Sequence, residues 1–291
     1  MTQDRPITVE AWLQEPWRIA GGALGREYGD CKQRARQRSK PPDRRRRVQE
    51  LFARAVSQQD QENAAWVLDN FRLIAGAERA VREFSGALPD YPVVIDAQGR
   101  ETARVCVVAR GYLATSSYTF REEDLAGFID GYQCVAGFTM SEIWALELAI
   151  QMELIDRLTE SAPGDWPSIL TCLRKVAETV WKDVFEIASS VNRVLMREQS
   201  GVFPRMDAES RDRYRRVVGE LARRSGMTET GIAESALELS QKAPAGDFDG
   251  AGDVDLAGAA AGLGQRRAAA GSLGVFLCIF GLAEPAPARR P

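Results

Sequence analysis

The sequence contains no histidine in 291 residues. That removes the Ser-His-Asp triad, the Cys-His dyad, the HExxH zinc site and histidine phosphorelay, since each needs an imidazole. No GxGxxG or GxxxxGKS/T stretch occurs either, so no glycine loop is set up to cradle phosphate. Long apolar runs are missing. The longest, Leu273 to Ala283, is about 11 residues where a membrane span takes about 20. The opening residues MTQDRPITVEAW lack the apolar stretch of a secretion signal. The five cysteines, Cys31, Cys106, Cys134, Cys172 and Cys278, are scattered and form no CxxC. They read as reduced thiols packed as small apolar residues in a cytoplasmic protein. Positive charge is not in excess: 38 Lys and Arg stand against 41 Asp and Glu, a net charge of -3. A globally basic nucleic-acid binder is therefore not indicated, and nucleic acid is not an expected partner.

What is present is enough apolar material for a core, with 45% hydrophobic residues in a chain long enough for one large or two modest domains. Composition divides it into three parts. Residues 1–60 form a basic, partly helical arm, with 11 basic and four acidic residues between positions 26 and 54. Residues 61–242 carry helical periodicity throughout and are expected to form a multi-helix bundle. Residues 243–291 are rich in Gly, Ala and Pro and are expected to be a disordered tail. No strands alternate with helices, so the expected fold class is all-α.

Local signals place the helices. One helix is expected over Gln61 to Phe84, ended by Leu88-Pro89-Asp90-Tyr91-Pro92. Ala103 to Tyr118 has strand-favouring valines but reads as a helix from its length and neighbours. Thr119 to Glu122 and Thr139 to Glu142 fit capping boxes. The second opens the most apolar stretch, Ile143 to Leu158, which suits a central helix covered on most sides. Asp165 and Asp207 read as N-caps, Ser225-Gly226 as a stop and Thr228 as a last start. Trp66, Trp144, Trp166 and Trp181 read as core anchors at helix ends.

Three groups of residues bear on function. Arg44, Arg45, Arg46 and Arg47 form a candidate anion-binding arm for phosphate or an anionic membrane surface, against the plainer reading of a solvated charged helix. Arg211, Asp212, Arg213, Tyr214, Arg215 and Arg216 follow a helix start; Asp212 and Arg216 are spaced to pair, and Tyr214 is expected to be buried. Asp247, Asp249, Asp253 and Asp255 spell two DxD pairs, but their neighbours are Gly, Ala and Pro rather than the apolar strand a nucleotide-sugar metal site needs. No catalytic, cofactor or metal residues are assigned.

Several stretches carry a resemblance. Trp66-Val-Leu-Asp-Asn-Phe-Arg-Leu-Ile74, Phe138-Thr-Met-Ser-Glu-Ile-Trp-Ala-Leu146, Val202-Phe-Pro-Arg-Met-Asp207 with Ser210-Arg-Asp-Arg-Tyr-Arg215, and Glu220-Leu-Ala-Arg-Arg-Ser-Gly226 follow one another as in the N-terminal region of bacterial cyclic β-1,2-glucan synthases. From about residue 64 to 240 the chain resembles that region. Residues 1–60 match poorly, Arg72 stands where the family often has His, and the likeness stops near 242. In the family, UDP-glucose and a divalent metal serve a glucosyltransferase domain that lies downstream among membrane helices. The resemblance therefore implies a truncated, non-catalytic helical scaffold with no cofactor of its own. Its docking face would include Arg205, Arg211, Asp212, Arg213 and Tyr214. Its partners would be the glucosyltransferase and membrane domains, and its place the cytoplasm, peripheral to the inner membrane. The Ala, Gly, Arg and Pro from Ala243 onward are what a GC-rich gene read in a shifted frame yields. An independent helical module, its basic arm on anionic membrane or nucleic acid, is the alternative.

Overall fold

The computed structural model describes residues 15–30, 43–57, 62–95, 99–198 and 202–242. The tail acids Asp247, Asp249, Asp253 and Asp255, and arm residues 31–42, lie outside this set. The described chain is predominantly helical, and its contacts divide it into two compact units. Unit 1 holds residues 1–137 and 141–188, and unit 2 holds 138–140 and 189 onward. The division falls within the 61–242 segment, and the helices of the basic arm belong to unit 1.

Unit 1 contains α1 (Glu15–Tyr28), α2 (Arg44–Ser57), α3 (Glu62–Asp69), α4 (Phe71–Ala87), α5 (Arg104–Thr115), α6 (Glu122–Gln133), α7 (Met140–Glu160, its first residue belonging to unit 2), α8 (Trp166–Glu178) and α9 (Trp181–Ala188). The single helix expected over 61–84 is two, broken at Asn70. The Asn70 side chain donates to the Trp66 carbonyl at 2.8 Å and accepts from Arg174 at 2.6 Å, so a side-chain amide competes for a carbonyl the helix ladder would use. The described chain agrees with the all-α expectation apart from one short hairpin. A hairpin of β1 (Val93–Ile95) and β2 (Glu101–Ala103) pairs antiparallel, with Val93 opposite Ala103 and Ile95 opposite Glu101. Its three-residue strands are too short to leave an alternation in the sequence. The valines of α5 are helical and buried, tertiary burial overriding their strand preference.

Helix α1 lies so close to α6 that backbone meets backbone. A Cβ added at Gly21 would come within 1.9 Å of the Phe128 carbonyl oxygen, and one at Gly131 within 2.1 Å of the Arg18 carbonyl oxygen. Only glycine permits this approach. Arg18 pairs with Asp130 at 2.9 Å, and the Tyr132 hydroxyl donates to the Tyr28 carbonyl at 2.8 Å. The start of α6 is not the expected Thr119 box. Its N-cap is Arg121, whose N–H donates to the Tyr112 hydroxyl at 3.1 Å while that hydroxyl donates to the Arg121 carbonyl at 3.0 Å.

Helix α7 is central in unit 1: Ile143, Leu146, Ile150, Leu154, Ile155 and Leu158 are fully buried. Its acids receive arginines from α2 and α5. Arg104 makes a two-pronged bond to Glu142 at 2.8 and 2.6 Å, and Arg110 pairs with Glu153 at 2.9 Å. Arg44 grips Asp156 at 2.8 and 2.6 Å, and Arg47 reaches Glu160 at 2.7 Å. Trp166 and Trp181 are buried as expected, but Trp144 is 37% exposed and Trp66 half-buried. α7 turns its apolar surplus inward without needing Trp144.

Unit 2 contains α10 (Ser190–Leu195), α11 (Val202–Arg205), α12 (Ala208–Ser225) and α13 (Glu229–Lys242). Ser189 caps α10, Asp207 caps α12 by accepting from Ser210 N–H at 2.8 Å, and Thr228 accepts from Gly231 N–H at 3.1 Å. Gly226 ends α12 in the left-handed region at φ 72°. The core is Val191, Leu195, Phe203, Tyr214, Val218, Leu221, Ile232 and their neighbours. Among the described residues no helix is long and apolar enough to cross a membrane.

Candidate functional site

Helix α12 repeats apolar residues at Tyr214, Val218, Leu221 and Ala222, which are buried. That spacing fixes which side chains face solvent. Tyr214 sets its ring edge-on to Phe203 at 5.8 Å, and burial together with the Glu198 charge pushes its hydroxyl pKa up. It is a core residue. Arg211 donates to the Met206 carbonyl at 3.0 Å, tying α12 to the turn before it. Asp212 accepts from Arg215 rather than from the expected Arg216. Arg215 is 3% exposed and also donates to the Asn192 side chain at 3.2 Å. The sequence reading missed this role, although positions 215, 218 and 222 share the buried phase of the helix.

The proposed docking set is thus split. Tyr214, Arg211 and Asp212 serve internal bonds, while Arg205 and Arg213 are exposed. Arg216, Arg223 and Arg224, outside that set, are exposed on the same outward side as Arg213. Arg213 pairs with Glu209 at 3.3 Å, and Arg224 with Glu220. Arg223 donates to the Gly219 carbonyl at 3.4 Å, and among the described residues Arg216 meets no acid. The outward face is therefore a mosaic, with Glu209 and Glu220 among four arginines.

The second group, in unit 1, is held by acids. Arg44 is 8% exposed and bound to Asp156 and Ser85; Arg46 pairs with Glu50 at 2.8 Å and Arg47 with Glu160. Arg45 is exposed. This pattern serves α2–α7 packing more directly than anion capture.

Among the described residues, two of the grooves on the surface of unit 1 are lined by charged side chains. One, of about 410 Å³, is lined by Ser117, Tyr118, Arg157, Asp165 and Ser168; the other, of about 380 Å³, by Arg47, Glu50, Arg54, Thr159 and Glu160. In the first, Arg157 lies over the Tyr118 ring at 5.4 Å and near Asp165 at 3.7 Å, so its charged groups answer one another. Burial pushes the Cys172 thiol up to about 12, and that of Cys106 higher still, away from the thiolate a nucleophile needs. Among the described residues no three His, Cys, Asp or Glu side chains gather as metal ligands would.

No family model matches the sequence. Over 78 residues, 27% of the chain, it is 37% identical to the cyclic beta-(1,2)-glucan synthase NdvB of Rhizobium meliloti (strain 1021). The matched stretch spans 3% of that protein's length. The chain thus contains a region similar to part of a cyclic glucan synthase.

Proposed function

We propose that the chain is a non-catalytic helical docking region related to a segment of a cyclic β-1,2-glucan synthase. In this reading it rests on the glucosyltransferase and membrane domains of such an enzyme, at the cytoplasmic surface of the inner membrane, and carries no cofactor. The observation that supports it is the division of labour on α12. Its inner side is spent on packing and on the Arg215 bonds, while Arg213, Arg216, Arg223 and Arg224 stand in solvent where folding does not use them as apolar anchors. Exposed arginines with planar, many-donor head groups are suited to protein interfaces. The acid-bound state of Arg44 and Arg47 favours this reading over a membrane-binding basic arm.

The test is co-sedimentation of the tagged full chain with bacterial membranes that contain or lack the Rhizobium meliloti synthase. Retention only by membranes containing the synthase is expected. Equal retention by both, or by neither, overturns the reading.

A further inference from the structure

Arg216 and Arg223 are seven residues apart on one edge of the outward face of α12, which puts them two turns and about 10.5 Å apart along the axis. The other two arginines of that face have an acid four residues earlier: Glu209 for Arg213 and Glu220 for Arg224. The equivalent position for Arg216 is Asp212, which is taken by Arg215, and for Arg223 it is Gly219, which has no side chain. The nearby Glu229 comes within 3.3 Å of where a Gly219 Cβ would be, but it accepts the Met140 N–H at 2.7 Å. The helix has thus satisfied one arginine edge internally and left the other with its charge available.

From this we infer that Arg216 and Arg223 form a two-pronged receptor for an acidic protein segment whose carboxylates lie about two helical turns apart. Each guanidinium can take a carboxylate bidentately. Charge complementarity selects the occupant. Because Glu209 and Glu220 already answer Arg213 and Arg224, the face offers two separated cations rather than a continuous basic strip, which suits discrete carboxylates better than a continuous polyanion such as nucleic acid or an anionic bilayer. A peptide with discrete charges can set its acids on Arg216 and Arg223 and keep the middle of the face neutral or basic.

The inference rests on the docking reading, and the experiment separates the two. Full-length chain is titrated onto membranes containing the Rhizobium meliloti synthase, as wild type, as Arg216→Glu/Arg223→Glu, and as Arg213→Gln/Arg224→Gln. All four side chains are exposed, so far-UV circular dichroism is expected to be unchanged. The charge-reversed pair is expected to bind roughly tenfold or more weakly, while the other pair stays within about threefold of wild type. If wild type itself does not bind, the docking reading falls and this inference with it. If wild type binds and Arg216→Glu/Arg223→Glu binds equally well, only the present inference is overturned. Binding to phosphatidylglycerol vesicles without protein, lost in the same variant, also overturns it, because the ligand would then be the bilayer.

Discussion

Arg104 is a costly side chain to disturb. Its guanidinium and the Glu142 carboxylate are 5% and 0% exposed, joined by two short bonds, with a third from Arg104 to the Gly137 carbonyl at 3.0 Å. Burying such a pair costs nearly what the attraction returns, but removing one partner strands the other charge. Arg104→Met is therefore expected to lose about 3–5 kcal/mol of stability. The double variant Arg104→Met/Glu142→Leu should recover most of it. Urea denaturation of the three proteins checks both figures, and a double variant no better than the single would contradict the stranded-charge argument. Arg44 differs in degree: its partner Asp156 keeps 23% of its side chain in solvent, so water can answer that carboxylate when Arg44 is lost.

At the scale of elements, α7 acts as an acidic spine and one member carries a pH signature. Desolvation raises the pKa of Glu153 above its ordinary 4.5, against the opposing hydrogen bond and charge of Arg110. A carboxyl whose folded pKa is raised favours the folded state most below its unfolded pKa, and that contribution is lost as pH rises through the folded value. Relative to Glu153→Gln, the wild type is thus expected to lose stability as pH climbs from 4.5 towards neutrality. Denaturation midpoints at the two ends of that window test the sign; a constant gap would refute it. The α1–α6 crossing makes a second demand. Gly131→Ala pushes a methyl into the Arg18 backbone, at an overpacking cost of about 1–3 kcal/mol. Faster amide exchange across 15–28 is the expected readout, and unchanged protection there would show that the helices have room to part. These two elements also show what a sequence can and cannot disclose. Caps at Asp207, Gly226 and Thr228 were legible because each works within four residues of its own position. So was the apolar bulk of α7. The Tyr112 hydroxyl at the start of α6, the Gly21 and Gly131 contacts and the acid partners of Arg44 and Arg47 were not, because each is fixed by a residue distant in sequence. The α12 site was half legible. Tyr214 followed the helical period inward, but the Arg215 bond to Asn192 joins residues 23 positions apart, and it is Arg215 rather than Arg216 that takes Asp212.

For the molecule as a whole, the division into two units makes an unfolding experiment informative, because every tryptophan precedes residue 182 and the described part of unit 2 has none. Tryptophan fluorescence therefore reports unit 1, whereas the core of unit 2 is visible only to backbone probes. Phe203 is the natural lever. It is 0% exposed and meets Tyr214 edge-on. Truncating a buried Phe to Ala costs about 3–5 kcal/mol through lost transfer energy and the cavity left behind. A unit of this size, with one small cluster for a core, has little stability to spare against such a loss. Phe203→Ala is expected to strip amide protection from α10, α12 and α13 while the tryptophan emission and its urea midpoint stay as in wild type. Such a split would make the chain non-two-state, so no single unfolding free energy would describe it. If the tryptophan midpoint falls in step with the loss of protection, the two units unfold as one cooperative body. In that case the arginine face of α12 would be held in place by the entire chain rather than by the cluster around Phe203 alone.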